Sequence, residues 1–383
     1  MTRLNNAAIV IEDGMIQSVG GFSAFVNLED YDIIEMPGCY AIPGFLDSRL
    51  YGAAKFDCMH ADKSEKINEM STALATHGVT SFLPTTQSCP HEQLLSVVEA
   101  LSYRVDDEKL PGAVPCGIHI EGPYLSEEKR GAHPAEYLQP IDIAKAKEII
   151  AAGRGKIKLF TFAPELDLSL ELIDLLVEHE IVPCMGHTMA GQASIMRAID
   201  AGAIRCSHLY NGMGALEQRN VGLAAIAMTD DRIWVELIPD GVHFHWGMLE
   251  LACRSIRKDR IIAVSNSTEA AGLADGDYHL GDRDITVRYG KATLEDGTIA
   301  GSTNFLAQNY RNLMEHSNLS HEEASAAFSL NPALSIGARN RGKIKPGKRA
   351  DITILDDNNR VKMTIVEGRI VYQNENYLAV ANT

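Results

Sequence analysis

No stretch of this chain reaches the ~18 consecutive apolar residues that a membrane-spanning helix needs. The first twenty residues alternate apolar with polar and include Asp and Glu, where a secretory signal would be continuously apolar. Membrane insertion and export are both disfavoured. The seven cysteines, at 39, 58, 89, 116, 184, 206 and 253, are odd in number, scattered, and without a Cys-x-x-Cys pair, which argues against a disulfide framework and against a thiolate metal site. A reducing cytoplasm is the expected setting. Positive charge is short too: 35 Lys and Arg against 51 Asp and Glu leave a net charge of -16, so no general hold on nucleic acid or on an anionic membrane is expected. Any phosphate must be met by a local site. Gly20-Gly21 and Gly78 lack the Lys and Ser or Thr of a P-loop and read as turn glycines.

What is present is core: 45% of the 383 residues are apolar and 22% charged, the composition of a globular chain with one large domain and a smaller partner. Near the start, Ala7 to Ile11 and Met15 to Val19 read as strands around a Glu12-Asp13-Gly14 turn. Near the end, Ala350 to Leu355 and Val361 to Val366 alternate as strands, and Glu367-Gly368 turns the chain into Arg369 to Tyr372. The two ends are expected to pair into one small β domain. Between about Pro43 and Ile336 the pattern changes to short apolar runs, at 80–84, 117–120, 157–162, 181–185, 204–207, 233–238 and 261–264. Most are followed by segments with 3.6 periodicity, such as 168–178, 192–201 and 246–256. Strands apolar throughout and alternating with helices imply a parallel sheet covered on both faces, and seven or eight units imply a closed (β/α)8 barrel. The fold class expected is therefore α/β.

A barrel of this kind carries its chemistry at the C-terminal ends of its strands. Four such ends deliver a polar group able to act: Glu121 after Ile120, His187 after Gly186, His208 after Ser207 and Asn266 after Ser265. Two imidazoles and a carboxylate with an open position suit a catalytic divalent metal such as zinc. Any one of these His residues could be a hydrogen-bonded core residue; the convergence of several favours the site. The other histidines, including His60, His77, His91, His179 and His316, have no strand-end partner and read as surface or packing. Tyr210, Trp234 and Phe244 lie near the motifs, with packing as the expected role.

The segments His119-Ile120-Glu121-Gly122-Pro123-Tyr124-Leu125, Lys129-Arg130-Gly131-Ala132-His133-Pro134, Met185-Gly186-His187-Thr188, Ser207-His208-Leu209-Tyr210-Asn211-Gly212-Met213, Pro239-Asp240-Gly241-Val242-His243 and Ile299-Ala300-Gly301-Ser302-Thr303 resemble those of the N-acetylglucosamine-6-phosphate deacetylases of the amidohydrolase superfamily. The resemblance runs in order from Pro43 through Gly347-Lys348-Arg349-Ala350-Asp351. It implies a metal-dependent TIM-like barrel over 44–339 and a small β-sandwich domain from 1–43 and 340–383. It also implies one divalent metal on Glu121, His187 and His208, with zinc first and iron, manganese or cobalt as alternatives. Ala132, His133, Asn211, Gly212, Arg219, His243, Ile299, Ala300 and Gly301 fall at substrate-contacting positions. Arg219 is suited to the phosphate and His133 to polarising the amide carbonyl. The implied reaction is hydrolysis of an N-acetylhexosamine 6-phosphate, glucosamine or its galactosamine epimer, to acetate and the amino sugar phosphate, in a cytoplasmic homodimer.

Two departures qualify the resemblance. Amidohydrolases commonly carry a His-x-His pair at the end of the first barrel strand, and here Arg49 and Tyr51 hold those positions. A guanidinium cannot bind a cation and repels one nearby, so a second metal is not expected. The catalytic Asp of the family falls at Asn266, and a neutral amide can neither take nor return a proton. The chain as given is therefore expected to be impaired, and Asp to Asn is also the smallest change by which an experimenter would trap substrate. The rival readings are another amidohydrolase, acting on a cyclic amide or an N-acyl amino acid, and a sugar-phosphate-binding protein without catalysis.

Overall fold

The computed structural model describes residues 4–25, 29, 31–61, 64–107 and 109–374; the outer ends of the expected 1–43 and 340–383 domain lie outside these. Eight parallel strands form the barrel: β1 (Phe45–Leu50), β2 (Val79–Pro84), β3 (Ile118–Glu121), β4 (Ile157–Phe162), β5 (Val182–Met185), β6 (Arg205–Cys206), β7 (Trp234–Leu237) and β8 (Ile261–Ala263). Strands β3 to β8 follow one another in a single parallel sheet, and β1 pairs with β2 in a second. Parallel bridges between Thr85 and His119 and between Leu50 and Ser267 join the two sheets and close the ring. Every residue of β1, β2 and β3 is buried, as expected of strands with helices outside and packed side chains within.

The helices on the outside lie where the 3.6 periodicity places them: Ser169–Glu178, Gln192–Ala201 and Trp246–Ser255. Each turns its apolar face onto the strands. Leu172, Ile173 and Leu176 of the first are fully buried, and so are Ile195 and Ala198 of the second. Gly202 closes the second helix in the left-handed region at φ +117°, a conformation open to glycine.

The chain ends meet outside the barrel. Strand Cys39–Pro43 pairs antiparallel with Ile352–Asp356, followed in the sheet by Val361–Val366 and Arg369–Gln373. The hairpin Ala7–Glu12 with Met15–Gly21 packs on that sheet through Ile16, which joins Ala350, Ile352, Met363 and Ile365 in one apolar cluster. Its turn, Asp13 and Gly14 at φ +48° and +76°, has the two positive φ values that suit a tight hairpin. The largest element without a counterpart in the strand-helix reading comes after β8, where the chain builds a four-stranded antiparallel sheet over 276–302, ending in Ile299–Ser302. Ser302 forms a parallel bridge to Ser267, so this sheet sits against the end of the last barrel strand. Its tight turns carry the chain straight from strand to strand, which strand-helix alternation does not foresee.

Candidate active site

Parallel register brings the strand ends together. Glu121 pairs with Thr161, Met185 with Cys206 and Leu237 with Ala263, so residues one to three positions beyond those pairs project from one rim. Glu121, His187, His208 and Asn266 all arise there. His187, His208 and Asn266 have φ of +47°, +22° and +54°, a region non-glycine residues seldom occupy. The chain turns sharply out of the barrel at each, and strain of this kind collects at functional sites.

Three acceptor atoms aim at one point. Glu121 Oε1 is 3.3 Å from His187 Nε2 and 3.4 Å from His208 Nε2, and the two Nε2 atoms are 3.0 Å apart. The far nitrogens fix the tautomers: His187 Nδ1 donates to the Lys129 carbonyl at 2.8 Å and His208 Nδ1 to the Asn211 carbonyl at 3.1 Å. Both Nε2 lone pairs therefore face the carboxylate, three acceptors turned towards one point as the ligands of a single ion are. Ligands about 2.0–2.2 Å from a tetrahedral ion stand roughly 3.3–3.6 Å from one another. The residues fit one divalent metal. Gly212, at φ +56°, backs the imidazoles: a Cβ there would lie 2.9 Å from His187 Nδ1.

His133 joins from the loop after β3. Its Nε2 is 3.9 Å from Glu121 Oε2, so it lies within reach of the same ion but outside the tight triangle. Its Nδ1 accepts from the Ser88 backbone N–H at 3.2 Å, which leaves the proton on Nε2, facing the site. Burial, with the neighbouring His187, pushes its pKa down to about 3, so it is a neutral donor, the form needed to polarise a carbonyl.

At the end of β8, Asn266 Nδ2 donates to His243 Nε2 at 3.3 Å, and His243 Nδ1 is 2.7 Å from Asp240 Oδ2. Among the described residues the buried Asn266 Oδ1 has no partner. Ala300 is buried, Gly301 lies beside the Asn266 carbonyl, and Ile299 begins the same strand. Ala132 accepts from Arg283 at 3.1 Å through its carbonyl. Asn211 is half-buried beside His208, to whose carbonyl its amide donates. Arg219 stands apart: it lies in the exposed run 215–220 with no ion pair among the described residues.

Sequence reasoning missed the ionic layer beneath. Arg49 and Arg205 are fully buried and share Glu236: Arg49 Nε donates to its Oε2 at 2.7 Å and Arg205 Nε to its Oε1 at 2.8 Å. Arg49 Nη1 also donates to Glu121 Oε1, and the Tyr51 hydroxyl donates to Glu121 Oε2. Burial alone would raise both carboxyl groups, yet the guanidinium of Arg49 holds Glu121 well below its usual range and Arg49 with Arg205 brings Glu236 to about 2. A lone Glu inside the apolar run 233–238 was the available signal.

Asp47 behaves oppositely. Burial raises its pKa to about 7, against hydrogen bonds from Ser265, and its Oδ2 has no partner among the described residues. A carboxyl raised in the fold favours folding while protonated, so its contribution is complete below about pH 4 and is lost as pH rises through about 7. Asp47→Asn keeps an acceptor for Ser265 N and cannot ionise. The variant is expected to gain thermal stability relative to wild type above neutral pH and to lose that advantage as pH falls towards about 4. A difference in Tm that stays flat across this range would refute the assignment.

A family model described as "Amidohydrolase family" matches residues 40–371. The chain is 35% identical to the N-acetylglucosamine-6-phosphate deacetylase of Bacillus subtilis (strain 168), covering 96% of this chain and 93% of the relative. It is 31% identical to the N-acetylgalactosamine-6-phosphate deacetylase of Escherichia coli O157:H7, over 96% and 95%. Among solved structures, an aspartate-to-alanine variant of the Mycobacterium smegmatis N-acetyl-D-glucosamine-6-phosphate deacetylase, in complex with N-acetyl-D-glucosamine-6-phosphate, superposes with a TM-score of 0.87 at 28% identity, covering 96% of this chain and 95% of that one.

Proposed function

This chain belongs to the amidohydrolase family, and we propose that it acts there as an N-acetylhexosamine-6-phosphate deacetylase, a carbon-nitrogen hydrolase that frees acetate and the amino sugar 6-phosphate. The observation that carries the reading is the triangle of Glu121 Oε1, His187 Nε2 and His208 Nε2, with sides of 3.0 to 3.4 Å, at three barrel strand ends. These three residues would hold one divalent metal, with zinc suited to the nitrogen and oxygen donors. When bound, such an ion supplies Lewis acidity to the acetyl carbonyl and lowers the pKa of a water.

The chain's own residues bind, orient and polarise the substrate, and the proton that passes from water to the leaving amine has no carboxylate to carry it at position 266. His133 donates Nε2–H to the carbonyl oxygen as negative charge develops there. Asn266 offers its unpartnered Oδ1 to a water or to the amide N–H and holds it in place. It moves no proton, because an amide is neither base nor acid near neutral pH. His243, kept in one tautomer by Asp240, and Asn211, with the backbones of Ala132, Gly212 and residues 299–301, frame the sugar. N-acetylglucosamine 6-phosphate is the first substrate to test, with the galactosamine epimer beside it, since one hydroxyl at C4 separates them.

Arg219 is the phosphate ligand in this reading. An exposed arginine on a rim loop suits a site completed in a cytoplasmic homodimer, where the loop meets substrate held by the other subunit. Arg219→Ala is expected to raise KM for the phosphorylated sugar by about 10²-fold or more with kcat much less changed, the loss of a charged hydrogen-bonded pair. Sedimentation of the same samples checks the dimer. Equal activity on unphosphorylated N-acetyl sugars would reject the phosphate reading, and a monomer with unchanged substrate affinity would reject the shared site.

A further inference from the structure

The buried charges of the barrel mouth cancel without any metal. Glu121, Arg49, Glu236 and Arg205 follow one another in contact, two anions and two cations, each with a fully buried side chain. A ligand set that depends on a metal to offset its charge is left with an uncompensated buried carboxylate when the metal goes, which is strongly destabilising. Here Glu121 already has its cation.

That cation is also held in place. Besides Glu236 and Glu121, the Arg49 guanidinium donates through Nη2 to Ser207 Oγ at 2.7 Å and Thr161 Oγ1 at 3.4 Å. Its partners come from β3, β4, β7 and the end of β6, and no solvent reaches it. It cannot swing aside when a metal arrives. Arg49 Nη1 and the two imidazole nitrogens, moreover, converge on the same oxygen, Glu121 Oε1, while Tyr51 occupies Oε2.

We propose that Arg49 is the resident counter-cation of this site, a positioning residue that keeps Glu121 aimed at His187 and His208 without a metal and, by sharing its oxygen, holds down the affinity for a divalent ion. The inference rests on the reading of Glu121, His187 and His208 as the metal ligands. Two consequences separate it from a purely structural role for a buried arginine. The metal-free protein keeps its fold and its site, and removing the positive charge makes metal binding tighter even though the variant is less stable.

The test uses the full chain, stripped with a chelator and titrated with Zn2+ against a competing indicator, with metal content measured by mass spectrometry. Stripped wild type is expected to melt within about 2 °C of the loaded form. Arg49→Gln is expected to bind Zn2+ at least about tenfold tighter, since a fixed positive charge a few ångströms away has gone. Its stripped form should melt about 4 °C or more below stripped wild type, with part of that loss recovered on adding Zn2+. Arg49→Lys keeps the charge and should stay within about threefold of wild-type affinity; it serves also if the Gln variant does not fold, because a Lys variant that binds tenfold tighter overturns the proposal. Unchanged or weaker binding in a folded Arg49→Gln protein overturns it as well, and so does a wild type that unfolds when stripped. His187→Ala separates the two readings. If it retains the metal, the ligand assignment fails and takes the proposal with it; if it loses the metal while Arg49→Gln gains no affinity, the proposal alone fails.

Discussion

Asn266→Asp is expected to raise the rate of deacetylation by about 10²-fold or more, the range that loss of a general base removes. The position is prepared for a carboxylate. Its backbone N–H donates to the Arg49 carbonyl at 3.0 Å and its carbonyl accepts from Ser302 at 2.8 Å, so the substitution alters the side chain and leaves the turn alone. The present side chain reaches His243 through Nδ2 and, among the described residues, leaves Oδ1 buried without a partner. An acid of the same volume can take a proton from water on the way to the tetrahedral intermediate and return it to the leaving amine, which an amide cannot. The measurement is initial acetate release from both epimers, with metal content determined on the same samples. Should the variant bind metal and sugar phosphate yet stay inactive on both epimers, the chain is a sugar-phosphate-binding protein. Arg49 and Tyr51 would then mark a site that has left catalysis.

The second large effect is on stability. Glu236→Gln would leave the guanidinium groups of Arg49 and Arg205 facing a neutral amide, where each now donates to a carboxylate oxygen at 2.7 and 2.8 Å. Breaking a buried pair from one side typically costs about 3–5 kcal/mol, because the remaining charge stays buried. A 383-residue chain unfolding with ~2.1 cal/mol/K per residue has an unfolding entropy of about 0.8 kcal/mol/K, so the expected fall in Tm is about 4–6 °C. Glu236 also accepts from the His208 N–H at 3.2 Å, so metal affinity should weaken with the fold. Scans at one fixed rate check this, and a Tm within a degree of wild type would contradict the charge ladder.

Periodicity was enough for the barrel because burial on both faces leaves a run of apolar residues at every strand, and helix spacing between them is a separate, local signal. Glu121, His187 and His208 were legible as strand-end residues for the same reason: a polar side chain directly after an apolar run has few structural uses, and each of the three stands there. Asn266 and Arg49 were visible as departures at positions where a carboxylate and a His were expected. Their consequences were not. The antiparallel sheet over 276–302 left no helical pattern to follow, and its packing beside Asn266 comes from a bridge between Ser267 and Ser302. Glu236 and Arg205 lie 31 residues apart and Arg49 lies 187 from Glu236, so no local pattern links them. Hydrophobic pattern reports what each segment buries, which is a local property of composition and spacing. Which charge meets which inside the barrel depends on strand order and register around the closed ring, and only the tertiary structure decides that.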